Sequence, residues 1–283
     1  MYATKSIGGI MTALALAITL LTSVGASQAQ AADRAKLESF LEVTGFDVAL
    51  DSIRLSAENA PQMLGLDSQD FGFHWGRMTS DVFGTDLMHD MAIEFLGKTL
   101  DEDHLDHAAG FYASDLGTRL VAVENKSHMS DDDDLKSESG EAIIAGLVRI
   151  GSPRLEILKR MNAASDSAGT GLRAIQEVQV RFLMAAASAG IIELQMDEPD
   201  LRELLRTGED ELRLSLQTSG LSGAAYTYQS FSDDEMEAYT QALEHPKMRQ
   251  VYDLMNAVQF EIMADRFEAL ADRMKGIQPS EEL

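Results

Sequence analysis

The chain has 283 residues, no cysteine, and a formal net charge of −24 from 23 basic and 47 acidic side chains. A negative field of this size argues against binding to nucleic acid, whose phosphates it would repel, and the absence of cysteine excludes disulfides and thiolate metal ligands. Stability must therefore come from an apolar core, which a mature chain of about 250 residues is long enough to build.

The first 31 residues have the three parts of a secretory signal peptide. Lys5 supplies the basic start, an apolar stretch follows, and the sequence AQA at residues 29–31 fits the cleavage box. A retained transmembrane anchor is the alternative, although Gly, Thr and Ser interrupt the stretch and no basic flank follows it. We therefore expect residues 1–31 to be removed, leaving a mature periplasmic protein that begins at Ala32 and has no membrane span.

Apolar residues recur at steps of three and four along nearly the whole mature chain, which predicts helices and no strands. The first helix is expected to begin after Asp33 and to end near Gly45, and a short second one is closed by Pro61. Two longer helices follow, with apolar faces from 71 to 82 and from 87 to 95. The sequence predicts an all-α fold, a helical bundle of about ten helices.

Residues 105–124 read LDHAAGFYASDLGTRLVAVE, with helical apolar spacing on both sides of the segment FYASDLG. Ser114 is a favourable N-cap, because its hydroxyl can accept a hydrogen bond from a free backbone N–H of the first turn. One helix should therefore end near Tyr112 or Ala113, and another should begin at Asp115. We interpret FYASDLG as a corner between two helices rather than as an active site.

The same pattern returns 131 residues later. Asp101 and Ser232 are both placed as N-caps of helices with acidic first turns, and Pro246 takes the place of Asp115. Proline is favoured at the first position of a helix, so the second copy supports the corner in the first. We therefore expect two related helical repeats packed together. The predicted parts are repeat 1 at 32–129, an acidic linker at 130–140, repeat 2 at 141–276 and a disordered tail at 277–283.

A capped acidic helix start followed by FYASDLG resembles the signature Phe-Tyr-x-Ser-Pro-x-Gly of an uncharacterised bacterial family of exported helical proteins, the domain of unknown function 2059 (DUF2059). The resemblance is best over residues 85–125 and returns faintly at 228–270, and Asp115 stands where the family usually has proline. It implies an all-helical fold and a location in the cell envelope. It brings no activity and no catalytic residues.

Two histidines form the best candidate for a metal site. His104 and His107 have the i, i+3 spacing that places both imidazoles on one face of a helix, with Asp103 beside them as an oxygen donor. These residues could bind a divalent metal, but a site needs a third or fourth ligand. The structural alternative is a pair of exposed histidines in the first turns of an acidic helix.

Other candidates fit structural roles better. Met88 and Met91 flank His89 and could bind copper(I), but methionines at helical spacing more often fill a core. Glu94 and Glu193 lie close to apolar faces, where burial would raise the pKa of a carboxyl. Acids are so abundant in this chain that the sequence cannot nominate a catalytic pair.

The sequence has no nucleophile elbow, no cysteine pair and no phosphate-binding glycine loop. We therefore expect a non-enzymatic periplasmic protein without a cofactor. Its predicted role is to bind a partner protein of the envelope or a small apolar ligand in a groove between the repeats. The alternative is a metal-binding protein or metal-dependent enzyme that uses His104 and His107.

Expression of the full chain in a bacterial host tests the signal peptide. We expect the protein in the periplasmic fraction to begin at Ala32 by intact-mass spectrometry, because small residues at positions 29 and 31 define the cleavage box. Replacing both of them with phenylalanine (A29F and A31F) should block processing. A full-length wild-type chain in the membrane fraction would instead support the retained anchor.

Overall fold

The computed structural model describes residues 34–66, 71, 73–130, 132–166 and 169–275. Within these parts the chain is helical apart from short turns and contains no strand, and twelve helices have ten residues or more. The predicted all-α fold is therefore confirmed. No helix in the described parts combines the length and the apolar character needed to cross a bilayer. The predicted signal peptide and the tail at 277–283 lie outside the described residues.

The helices are numbered in chain order, with a short 3-10 helix at Ala57–Asn59 between the third and the fourth. Their bounds are α1 (34–44), α2 (Phe46–Asp51), α3 (Ile53–Ser56), α4 (Ala60–Met63), α5 (Phe73–Val82), α6 (Thr85–Thr99), α7 (Glu102–Tyr112), α8 (Asp115–His128), α9 (Asp133–Ile150), α10 (Arg154–Ser165), α11 (Thr170–Ser188), α12 (Glu198–Thr207), α13 (Glu209–Thr227), α14 (Asp233–Glu244) and α15 (Pro246–Met274).

Side-chain caps begin α7, α8 and α14 where the sequence predicted them. Asp101 and Ser114 each accept a hydrogen bond from the backbone N–H three residues on, at 3.0 and 3.1 Å. Ser232 and Glu235 form a reciprocal capping box, and α15 begins at Pro246. The starts of α7 and α14, and those of α8 and α15, are thus 131 residues apart. The duplication itself stays a prediction.

The segment FYASDLG is a corner, as predicted. α7 ends at Tyr112, α8 begins at Asp115, and the first turn of α8 lies directly against the end of α7. A Cβ atom at Gly117 would lie 2.5 Å from Cα of Tyr112 and 2.8 Å from its carbonyl carbon. Only glycine fits there, so this residue sets how closely the two helices meet.

The acidic linker predicted at residues 130–140 is mostly helical in the structure. Asp132 caps α9, which begins at Asp133 and continues past residue 140. The acids of the first turn are exposed, and negative charge there is favoured by the helix dipole. Gly140 is buried against the backbone of Ser222 in α13, where a Cβ would lie 2.6 Å from the Ser222 carbonyl carbon. The segment therefore begins a packed helix.

The longest helix, α15, lies at the centre of the fold. Its buried residues form one stripe from Met248 to Ile262, at steps of three and four, and the buried side changes from Ala264 to Met274, so the helix is covered on two sides. It packs against α11 and also against α5, α6 and α7. Phe267 makes edge contacts with Phe83 and Phe182, with ring centroids 5.5 and 5.4 Å apart. α15 therefore joins helices from both ends of the chain in one core.

Alanine in place of Gly117 tests the close approach at the corner. We expect Gly117→Ala to lower the free energy of unfolding by about 1–3 kcal/mol, because the added methyl group must push α7 and α8 apart. Gly110→Ala in α7 is the matched control, since its Cβ would meet nothing within 4 Å. That variant should be up to about 1 kcal/mol more stable. Urea unfolding measures both, and equal stabilities would contradict the corner geometry.

Candidate functional site

A pocket of about 260 Å³ lies between the first half of the chain (34–130) and the second half (132–275). Glu124 of α8 lines it from the first half. Met161 of α10, Ala224 of α13 and Leu243 of α14 give it an apolar wall from the second half. The pocket thus lies between the two segments that the sequence predicts as repeats.

A second cavity of about 450 Å³ adjoins this pocket. Ser127 and His128, at the C-terminal end of α8, line both cavities. The remaining wall of the second cavity is mostly polar and includes Ser52 and Asn59 from the first half and Lys136 from α9. The last turn of α8 therefore separates a smaller, partly apolar pocket from a larger polar cavity.

Four tyrosine hydroxyls meet beside the smaller pocket. Tyr112 ends α7, Tyr228 follows α13, Tyr239 lies in α14 and Tyr252 lies in α15. The hydroxyl oxygen of Tyr239 is 3.1 Å from that of Tyr252 and 3.3 Å from that of Tyr112. The hydroxyls of Tyr112 and Tyr252 are also hydrogen-bonded to each other. The hydroxyl cluster therefore ties together elements that are distant in the chain.

Glu124 is the carboxylate of this cluster. Its Oε1 accepts hydrogen bonds from the hydroxyls of Tyr228, at 2.6 Å, and Tyr239, at 2.9 Å. Within the described residues, no hydrogen bond reaches Oε2 of Glu124, and no lysine, arginine or histidine forms an ion pair with this side chain. One oxygen is thus held in place by two phenols, and the other is free to bind a ligand.

The surroundings shift the pKa of each titratable group here. Burial raises the pKa of Glu124 because desolvation penalises the carboxylate, although the hydroxyl bonds from Tyr228 and Tyr239 act in the opposite direction. Burial also raises the pKa of all four tyrosines, so they stay protonated and can donate. His128 is open to solvent at the rim, yet partial desolvation and the charge of Lys136 lower its pKa.

A buried arginine positions part of the cluster. Arg154 of α10 donates to the backbone carbonyls of Tyr228, at 2.6 Å, and Phe231, at 2.9 Å. It also donates to Oδ1 of Asp233 at 2.9 Å, at the start of α14. These bonds hold the turn between α13 and α14, and so they fix the backbone positions from which Tyr228 and Tyr239 reach Glu124.

The predicted metal residues lie on α7, where this helix packs on α15. Nδ1 of His104 is 2.7 Å from Oδ1 of Asp101, and its Nε2 contacts Oε1 of Gln250. Asp103 forms an ion pair with Nζ of Lys247 at 2.6 Å. Both ring nitrogens of His104 and the carboxylate of Asp103 are therefore engaged in contacts within the protein.

His107 stacks on His245, with ring centroids 4.3 Å apart and planes inclined by 28°. Desolvation and the charges of His245 and Lys247 lower the pKa of His107, whereas the hydrogen bond to Asp101 raises the pKa of His104. In the described parts of the chain, no group of three or more His, Asp or Glu residues is arranged to hold a metal ion. The metal hypothesis for these histidines stays a prediction from the sequence.

In the sequence, neither Glu124 nor the four tyrosines stand out as functional residues. Glu94 and Glu193 are the acids that the apolar pattern brings forward, and both are exposed. One signal was present, because Glu124 follows the buried residues Leu120 and Val121 at i+4 and i+3 and so continues their face of the helix. The same spacing is common at the borders of apolar faces, so it could not distinguish this acid from the others.

Part of the chain matches a known family model. Residues 86–145 match the family model DUF2059, described as an uncharacterized protein conserved in bacteria. The match confirms the resemblance seen in the sequence, and its range includes Tyr112 and Glu124. No curated protein and no solved structure matches the chain.

Glutamine in place of Glu124 tests the desolvated carboxylate. Burial raises the pKa of this carboxyl above its unfolded value, so its contribution to stability is present in acid and is lost as the pH rises through the folded pKa. Glutamine carries no charge and keeps an oxygen that can accept the tyrosine bonds. We therefore expect Glu124→Gln to have the wild-type melting temperature near pH 4 and a higher one at pH 8.

Thermal unfolding at the two pH values measures the effect. Glu94→Gln is the matched control, because Glu94 is exposed on α6, and it should show no such difference between the two pH values. A lower melting temperature of Glu124→Gln at both pH values would mean that the carboxylate stabilises the fold.

Proposed function

We propose that this is an exported, non-enzymatic protein of the cell envelope that binds a small ligand in the pocket between its two halves. The observation that carries the proposal is the carboxylate of Glu124: two tyrosines bind its Oε1 beside an apolar wall, and its Oε2 has no hydrogen-bond partner among the described residues. The signal-peptide pattern of residues 1–31 supports a periplasmic location.

The composition of the pocket supports binding of a small organic molecule. Ligand sites combine an apolar lining with a few converging polar groups, and those for drug-sized molecules begin at about 300 Å³. This pocket has both kinds of group and a volume of about 260 Å³. A ligand with an apolar part and a hydrogen-bonding part therefore fits it better than a wholly apolar one. A partner helix, with a diameter of about 10 Å, would be too large for it.

The polar groups of the pocket support binding rather than catalysis. Covalent catalysis needs a nucleophile that is hydrogen-bonded to a base. Ser127 accepts a hydrogen bond from Oγ1 of Thr227 at 3.0 Å, and in the described residues it has none to its neighbour His128. The tyrosines are kept protonated by burial, so they act as hydrogen-bond donors.

Ligand capture tests this function. The mature protein is equilibrated with the low-molecular-mass fraction of a periplasmic extract, re-isolated by gel filtration and denatured, and the released compounds are identified by mass spectrometry. We expect at least one compound to be retained by the wild type. Ala224→Phe should abolish retention, because Ala224 is 8% exposed and lines the pocket, so a phenyl ring there would fill the space.

Ala122→Phe is the matched control for this experiment, because Ala122 is exposed on α8 outside the pocket lining. It should retain the same compound as the wild type. Circular dichroism of both variants checks that they fold. Retention of the compound by a folded Ala224→Phe variant, or no retained compound with the wild type, would contradict ligand binding in this pocket.

A further inference from the structure

We infer that the ligand of this pocket is a small organic ammonium ion whose charged nitrogen donates a hydrogen bond to Oε2 of Glu124. The inference rests on the proposed function and names the chemical class of the ligand. It excludes carboxylates and other anions, and it disfavours guanidinium groups.

The first argument is the missing countercharge. At other helix contacts the chain pairs glutamates with arginine. Arg160 forms ion pairs with Glu237 and Glu244, at 3.0 and 2.8 Å. Arg181 forms ion pairs with Glu261 and Glu268, also at 3.0 and 2.8 Å. Glu124 lies at a contact between helices as well, but within the described residues only tyrosine hydroxyls bind it. A partly buried carboxylate without a cation is costly. A cationic ligand would remove this cost.

The second argument is the geometry of the carboxylate. Each carboxylate oxygen has about two acceptor sites, and both sites of Oε1 are used by Tyr228 and Tyr239. A guanidinium group binds a carboxylate best through both oxygens at once. An ammonium group needs one oxygen, and Oε2 of Glu124 provides it. The two phenols thus leave only Oε2 of the carboxylate available, and this oxygen suits a single N–H donor.

The third argument is the remaining wall of the pocket. The side chains of Met161 and Leu243 can pack against the alkyl part of the ligand, and the tyrosine rings can attract a cation by their electron-rich faces. The net charge of −24 also draws cations toward the protein and repels anions. Charge and shape therefore favour the same class of ligand.

Among the groups that face Glu124, only His128 can gain a charge as the pH falls, so binding should depend on the protonation of Glu124 and of His128. These groups are His128 on the same helix and, on the helices packed around it, Tyr112, Tyr228, Tyr239 and Tyr252. The phenols stay neutral because burial raises their pKa, and His128 is neutral above its lowered pKa. Affinity for an ammonium ion should therefore rise with pH as the Glu124 carboxyl loses its proton.

The experiment compares four probes of similar size: butylammonium, butylguanidinium, 1-butanol and butanoate. Each is titrated into the mature protein at pH 7.5, and binding is followed by two-dimensional nitrogen–proton NMR. We expect saturable binding of butylammonium, at least tenfold tighter than that of the other three probes. Glu124→Gln should weaken butylammonium binding at least tenfold, because a charged hydrogen bond is lost, whereas the control Glu94→Gln should leave it unchanged.

The outcomes separate this inference from the proposed function. If 1-butanol or butanoate binds as tightly as butylammonium and Ala224→Phe abolishes that binding, the pocket binds ligands but the inferred class is wrong. If Glu124→Gln binds butylammonium like the wild type, the inferred anchor is wrong. If no probe binds, the inference is overturned, and the capture experiment with the extract then decides on the proposed function separately.

Discussion

The architecture depends on the burial of α15. This helix has 29 residues and its apolar side changes along its length, so it is stable in water only when other helices cover both sides. Both halves of the chain supply that cover, and Phe267 lies between Phe83 of the first half and Phe182 of the second. The packing of both halves around α15 places Tyr252 of α15 and Glu124 of α8 on the wall of one pocket.

The corner at FYASDLG connects the fold to the candidate site. Gly117 allows α8 to approach the end of α7, so it determines how the two helices are oriented. Tyr112, in the same segment, contributes its hydroxyl to the cluster, and Glu124 lies further along α8. The segment is therefore a structural corner that also positions two members of the hydroxyl cluster.

The hydrogen-bond partners of Glu124 differ from those of the glutamates that pair with arginines at other helix contacts. Elsewhere arginines pair with glutamates across helix contacts, as Arg160 does with Glu237 and Arg181 with Glu268. Here burial raises the pKa of the carboxyl, and only neutral phenols bind it. Destabilising groups such as an unpaired carboxylate are common at functional sites, where ligand binding compensates for the lost stability. The cluster is therefore the best candidate for a site that a ligand completes.

The sequence by itself determined the helices, because apolar spacing, N-caps such as Ser114 and the proline at 246 act within a few residues. It also indicated the family that residues 86–145 match. It did not determine that the acids near Asp133 lie in the first turn of a helix, since exposed charge looks the same in a helix and in a loop. Only the tertiary structure revealed the pocket, because Glu124 is 104 and 115 residues away from Tyr228 and Tyr239, and folding alone brings them together.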